Sequence, residues 1–287
     1  MGELEGKVLL VTGGARSIGR EIALTFAREG ADVVTCDVAA QIEGASYPLG
    51  SEDELQETVR LVEAEGVRCL ARVADVRDQD ALDALVADAV DRLGGIDVAI
   101  PSAGIIDWRA KPFWETPDFS WDDQIGVNLT GAWRTAKAVA PQMIERGSGS
   151  IAFIASNVGI EGAEMFSPYV AAKHGVLGLM KSAALELGRH GVRANAVCPG
   201  TTDTIMNDNE LGRVRAAGKP DATTEEYRDA VRNWVILRDV GPLPPHAIAD
   251  AMLWLASERA RYVTGIELKV DGGHLVLPGF NHNPAMS

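Results

Sequence analysis

The sequence predicts one α/β domain over residues 1–287: a doubly wound, seven-stranded parallel sheet with helices on both faces. Three observations lead there. Short β-branched runs alternate with segments of helical period along most of the chain. Several of the runs are apolar at successive positions, as strands covered on both faces must be. No repeat, linker or shift in composition divides the 287 residues, of which 46% are hydrophobic.

The strands are expected at Val8–Val11, Asp32–Cys36, Val67–Val73, Asp97–Ile100, Ser150–Ala155, Val192–Val197 and Ile266–Val270. Helices are expected at Ile18–Glu29, Glu52–Glu65, Gln79–Leu93, Trp121–Arg146, Pro168–Arg189 and Ile248–Ser257, where apolar residues recur at i, i+3 and i+4. Gly30, Gly66, Gly94 and Gly191 stand at C-terminal stops. Two stretches break the alternation. Residues 38–50 (Val38–Gly50) form an insertion where the adenosine of a nucleotide would lie, and 201–247, with Met206, Trp234, Leu237 and a Gly-Pro-Leu-Pro-Pro cluster, reads as a substrate lid.

Charge narrows the function. Lys and Arg number 27 against 41 Asp and Glu, a net −14, so phosphate backbones and anionic lipids are repelled; neither nucleic acid nor membrane is an expected partner. No run of eighteen apolar residues and no leader pattern is present, which makes a cytoplasmic location the expectation. Cys36, Cys69 and Cys198 are widely spaced, and the five histidines lack metal-ligand spacing, so buried thiols and no metal are expected.

The first strand runs into Thr12-Gly13-Gly14-Ala15-Arg16-Ser17-Ile18-Gly19 and a helix. Such a turn offers backbone N–H groups and a helix N-terminus to a diphosphate, although glycine-rich βα turns also serve packing. Asp37, ending the second strand, is placed to accept from an adenosine ribose and to repel a 2′-phosphate, favouring NAD over NADP. Arg16 argues the other way if its guanidinium meets such a phosphate. Tyr169 and Lys173 stand at i and i+4, sharing a helix face with Cβ atoms about 5–6 Å apart. Ser156 lies just past a strand, where a returning loop brings its hydroxyl towards the phenol. Acid/base work near neutrality needs a phenol pKa about 3 units below 10, and the adjacent ammonium is the expected cause.

Taken in order, the glycine cradle, Asp75-Val76, Asn128-Leu129-Thr130-Gly131, Ser156, Tyr169-x-x-x-Lys173, Cys198-Pro199-Gly200 and Asp271-Gly272-Gly273 resemble the short-chain dehydrogenase/reductase family over nearly the whole chain. The insertion, the Glu52–Glu63 segment and Tyr169-Val170-Ala171-Ala172-Lys173-His174-Gly175 together resemble its carveol-dehydrogenase-like, mycofactocin-coupled subgroup. The resemblance implies a Rossmann fold, a tightly held NAD partly covered by the insertion, an external redox carrier and a homotetramer. It implies Tyr169 as general acid/base, Lys173 holding the nicotinamide ribose, Ser156 on the substrate oxygen and Asn128 supporting a proton-relay water. The cofactor set it implies is Gly13, Arg16, Ser17, Ile18, Gly19, Asp37, Val38, Asp75, Val76, Ser102, Ala103, Gly104, Tyr169, Lys173, Pro199, Gly200, Thr202 and Thr204.

Two departures stand out. Ser17 replaces a cradle glycine, and Pro101-Ser102-Ala103-Gly104 stands where the family has Asn-Ala-Gly, exchanging a bracing amide for a hydroxyl. Ser156, Asn157, Val158, Met165, Phe166, Met206 and Trp234, with Ile160 and Ile205, form a largely apolar substrate set. The expected reaction interconverts a hydrophobic secondary alcohol and its ketone. A lyase, isomerase or epimerase on the same fold, or a non-catalytic dinucleotide-binding regulator, is the alternative. Trp108 and Trp114 belong to the core, an interface or the pocket mouth, and the tail Leu275–Ser287 is expected to cross a subunit boundary.

Overall fold

A computed structural model describes residues 2–277; positions 278–287, most of the tail just mentioned, lie outside the described residues. The strands are β1 (Val8–Thr12), β2 (Asp32–Asp37), β3 (Cys69–Val73), β4 (Val98–Ile100), β5 (Gly149–Ile154), β6 (Val192–Pro199) and β7 (Glu267–Val270). They form one seven-stranded sheet, every adjacent pair parallel, in the order β3-β2-β1-β4-β5-β6-β7. The order reverses between β1 and β4, and there the loops after the two strands splay apart to leave a crevice at the strand C-termini.

The helices are α1 (Ser17–Arg28), α2 (Glu52–Ala64), α3 (Gln79–Leu93), α4 (Asp118–Ile125), α5 (Ala132–Arg146), α6 (Ser167–Gly188), α7 (Glu210–Ala217), α8 (Thr224–Arg232) and α9 (Pro245–Ala256). Along β1 the faces alternate. Val8 and Leu10 pack with Leu85 of α3, Val139 and Met143 of α5 and Val176 of α6, whereas Leu9 and Val11 pack with Ile22 and Phe26 of α1, Val62 of α2 and Met252 of α9. Each such buried side chain contributes roughly 1.5–3 kcal/mol, which is why β1 carries no polar residue before Thr12.

Three elements differ from the sequence-based expectation. The third strand starts at Cys69 rather than Val67, because Arg68 is held at the sheet edge by the Asp32 carboxylate, its backbone N–H donating over 2.7 Å. The helix expected over Trp121–Arg146 is α4, a wider π turn at Gly126–Gly131, and α5. Finally, 201–247 contains α7 and α8. Each begins at a side-chain cap: Asn209 accepts from the Gly212 N–H, and Thr223 and Glu226 cap one another's backbone N–H groups. Thr223-x-x-Glu226 is a local signal that marks α8 in the sequence, and it is the one the hydrophobic pattern overlooks.

The insertion has no regular structure, yet it is built. The Gln41 amide donates to the Ile42, Ala45 and Tyr47 carbonyls and accepts from the Leu49 N–H, so one side chain organises the whole loop. No helix among the described residues is long and apolar enough to cross a membrane, and no cluster of metal-ligating side chains occurs among them. Cys36 and Cys198 are buried and Cys69 half-buried, all three as free thiols.

Candidate active site

The crevice between β1 and β4 opens into a cleft of about 830 Å3, open mouth included. Its floor is the cradle, with Gly13, Arg16, Ser17, Ile18 and Gly19; one end is walled by Asp37, Val38, Asp75 and Val76, and the other by Ser102, Ala103, Gly104, Ile105 and Thr204. The expected cofactor residues Pro199, Gly200 and Thr202 are not part of this lining. Pro199 completes β6, the backbone at Gly200 is packed on that of Asp271, and Thr202 is buried with its hydroxyl donating to the Gly200 carbonyl.

The cradle is tight because Gly13 has φ +72° and a Cβ there would lie 2.9 Å from the Ala103 Cα. Ser17 adopts φ +52°, so the substitution noted in the sequence places a side chain in the left-handed region at the cradle itself. The second departure is compensated from the neighbouring strand. Thr12 Oγ1 accepts from both the Ser102 and Ala103 N–H groups, each at 3.1 Å, bracing the β4 loop without the family's amide.

Asp37 accepts from the Ala15 N–H at 3.1 Å and the Ala39 N–H at 3.2 Å, one on each oxygen, which leaves lone pairs of both oxygens for a ligand. Burial works to raise the Asp75 carboxyl, but the hydrogen bonds and charge of Arg77 outweigh it and hold the group below the usual carboxylate range. Arg16 donates to the Pro48 carbonyl and lies 4.0 Å from Glu54, so its guanidinium is turned to the insertion and α2.

Ser156, Tyr169 and Lys173 gather beyond the far end of the cleft, and none of them is part of its lining. Ser156 follows β5 in extended backbone; its hydroxyl donates to Asn157 Oδ1 at 2.9 Å. Pro168 occupies the first turn of α6, so Tyr169 and Lys173 project from successive turns of one face. Lys173 is 4% exposed, donates to the Ile154 carbonyl at 2.9 Å and stands 5.5 Å from the centroid of the Tyr169 ring. Burial lowers its pKa to about 8. Burial likewise pushes the Tyr169 phenol up to about 12, opposed only in part by a hydrogen bond with Ser156.

This corrects the expectation of a phenol made acidic by its neighbour: the ammonium is spent on a carbonyl and faces the ring, while desolvation dominates at the oxygen. Asn128, fully buried in the π turn, accepts from the Ile105 N–H at 2.8 Å and donates to the Ile105 carbonyl at 2.9 Å. Its side chain is thus a brace for the cleft wall. A Cβ on Gly104 would lie 3.0 Å from Asn128 Oδ1 and 3.9 Å from Lys173 Nζ, so this glycine is where the cleft wall meets the buried polar groups.

The expected substrate residues divide. Met206, with Ile205, covers the cleft together with Ile42, Tyr47 and Leu49 of the insertion. Its carbonyl accepts from Trp108 Nε1 at 2.5 Å. Met165 and Phe166 line a second cavity of about 440 Å3 with Asp107, Arg109, Phe119 and Pro168, and Phe166 packs edge-on against Trp108 with centroids 5.3 Å apart. Asn157 and Val158 form the turn after Ser156. Trp234 lines neither cavity; its carbonyl faces His274 Nδ1 at 2.8 Å, and Trp114 is exposed. Ile42, Tyr47, Leu49 and Gly50 of the insertion, with Ala74, Ile105 and Val127, are the lining residues that sequence reasoning missed: the insertion was visible, but not which of its residues turn inward.

A parallel sheet with its crevice at the β1/β4 reversal, and a serine, a tyrosine and a lysine gathered at one end, defines a dinucleotide-dependent oxidoreductase architecture. The chain belongs to the short-chain dehydrogenase/reductase family. A family model described as enoyl-(acyl carrier protein) reductase matches residues 13–274. Among curated relatives, (−)-trans-carveol dehydrogenase of Rhodococcus erythropolis is 41% identical over 281 residues, covering 95% of this chain and 99% of the relative. The crystal structure of carveol dehydrogenase from Mycobacterium avium in complex with NAD superposes with a TM-score of 0.93 at 36% identity, covering 96% of this chain and all of the other. That of a short-chain dehydrogenase from Mycobacterium paratuberculosis bound to NAD gives 0.87 at 37% identity, with the same coverage of both chains.

Proposed function

We propose that this protein is an NAD-dependent dehydrogenase interconverting a hydrophobic secondary alcohol and its ketone. The observation that carries the reading is the juxtaposition of Ser156, Tyr169 and Lys173 beside a cleft whose opposite end holds the Asp37 and Asp75 carboxylates. The cleft suits a dinucleotide: Asp37 retains free lone pairs for ribose hydroxyls, and its charge disfavours a 2′-phosphate. Arg16, engaged with the insertion, is not turned to offset that charge. NAD is the cofactor of the two solved relatives, and Gly13, Ser17, Ile18, Gly19, Asp37, Asp75 and Val76 are the residues that would hold it here.

When bound, NAD would supply the hydride chemistry at the substrate carbon. The remaining work belongs to the chain. Ser156 turns its hydroxyl from Asn157 to the substrate oxygen and orients it, and Tyr169 takes the alcohol proton during oxidation and returns it during reduction. Since burial alone holds the phenol near 12, this step requires positive charge at the phenol, which Lys173 supplies by leaving the Ile154 carbonyl. Trp108, Phe166 and Met206 favour an apolar, ring-sized substrate, and 201–247 serves as its lid.

Carveol, the alcohol named for one curated relative, is the first compound to test. Purified protein with NAD and carveol should develop absorbance at 340 nm and yield carvone; a panel of cyclic secondary alcohols giving no NADH and no ketone, with or without an artificial electron acceptor, overturns the reading. We further propose an external redox carrier and a homotetramer paired through α5 and α6. Turnover that is slow with free NAD but fast with the acceptor supports the first, and a fourfold mass in light scattering supports the second.

A further inference from the structure

The insertion carries a feature that the cradle does not explain. Tyr47 is 5% exposed, lines the cleft, and its hydroxyl donates to no group among the described residues. A buried phenol usually finds one, because an unmet donor bears the full cost of its lost hydration. Ser167 and Tyr227 also carry unpartnered buried hydroxyls among the described residues, but neither lines this cleft.

We propose that Tyr47 is a dinucleotide-binding residue, donating its phenolic hydrogen bond to an oxygen on the nicotinamide half of the cofactor and so slowing its release. The inference rests on reading the cleft as a dinucleotide site. Position supports the choice of half. Tyr47 lines the cleft together with Arg16 of the diphosphate cradle and Ile105 of the wall at the reacting end, and its phenol oxygen lies beside the Ile106 backbone N–H. Chemistry supports the direction of the bond. Burial holds the phenol well above its ordinary pKa, so it stays protonated and donates, and phosphate, ribose and carboxamide oxygens are acceptors.

The donor is also preorganised. Its carbonyl accepts from Gln41, and the loop around it is tied down at Pro48 by Arg16, at Ser46 by the Trp108 N–H, at Glu43 by Arg109 and at Gly44 by Asp123. A ring held this way loses little further freedom when the ligand arrives.

Tyr47→Phe keeps the ring and its packing while removing only the donor. NADH titrated by fluorescence into wild-type and variant protein, both stripped of copurified nucleotide, should show a dissociation constant about tenfold higher in Tyr47→Phe. The chase of bound NADH by excess NAD should be faster by a similar factor, with AMP affinity and the melting temperature of the nucleotide-free protein unchanged. Equal NADH affinity and release in the two proteins overturns the proposal, as does an equal loss of AMP affinity, which would move the contact to the adenosine half. If wild-type protein binds no NADH at all, the functional reading itself fails, and that outcome is distinct from the first two.

Discussion

Lys173 Nζ donates to the main-chain carbonyl of Ile154 at 2.9 Å, tying α6 to the end of β5. The bond satisfies a buried ammonium that also stands near the face of the Tyr169 ring. It fixes two charges of opposite consequence: an amine that gives up its proton unusually readily, and a phenol left without a cation at its oxygen.

Lys173→Met should therefore stabilise the nucleotide-free protein while abolishing turnover. A fall in pKa from the ordinary 10.5 to about 8 corresponds to roughly 3 kcal/mol of penalty for holding the charge in the folded state. The unfolded chain binds the extra proton between these values, so wild-type stability rises with pH across the window from about 8 to 10.5, and the penalty is full below it. Denaturant melts at pH 7 and pH 10 check this: the advantage of the variant should be up to about 3 kcal/mol at the first and shrink at the second.

Tyr169→Phe should lower kcat by about 10²–10⁴-fold with NADH affinity unchanged within about twofold. On the mechanism proposed above, wild-type alcohol oxidation needs the phenolate and ketone reduction the phenol, so the pH profiles should slope in opposite directions. Oxidation should rise about tenfold per pH unit below the operating pKa. An apparent value well below 12 with cofactor bound would show the phenol reset from its nucleotide-free position; unaltered rates in Tyr169→Phe would remove it from the chemistry.

Asp37→Asn keeps an oxygen for one of the two backbone donors and removes the charge. The ratio of NADP to NAD affinity should increase by about tenfold or more, since the like-charge contact with a 2′-phosphate disappears. Competitive titration of the two dinucleotides measures it directly.

Thr12→Val removes the acceptor for the Ser102 and Ala103 N–H groups beneath the β4 loop. Two half-buried donors left unmet should cost about 1–3 kcal/mol and lower the melting temperature by several degrees, while Thr12→Ser retains most of the stability. Thermal melts of the two variants against wild type separate this brace from a simple loss of volume.

The sequence shows most clearly what is local. Strand and helix periods gave the sheet and its helices because each period repeats within a few residues. Tyr169 and Lys173 could be paired because i and i+4 always share a helix face, and Asp37 could be placed because a strand end has a known position in a parallel sheet. Even α8 was within reach through its capping box. The π turn at Gly126–Gly131 was not, since it continues the helical hydrophobic period while shifting the ladder that carries Asn128.

From residue order alone came the class of fold, the cradle and the candidates for the reacting groups, since these depend on periodicity and on the chemistry of single side chains. Only the folded chain decided where side chains meet: the Lys173 ammonium at Ile154, the Asn128 amide at Ile105, Tyr47 at the cleft. Partners separated by tens of residues meet through packing, and no local pattern encodes whether burial or a neighbouring charge prevails at the atom where they meet.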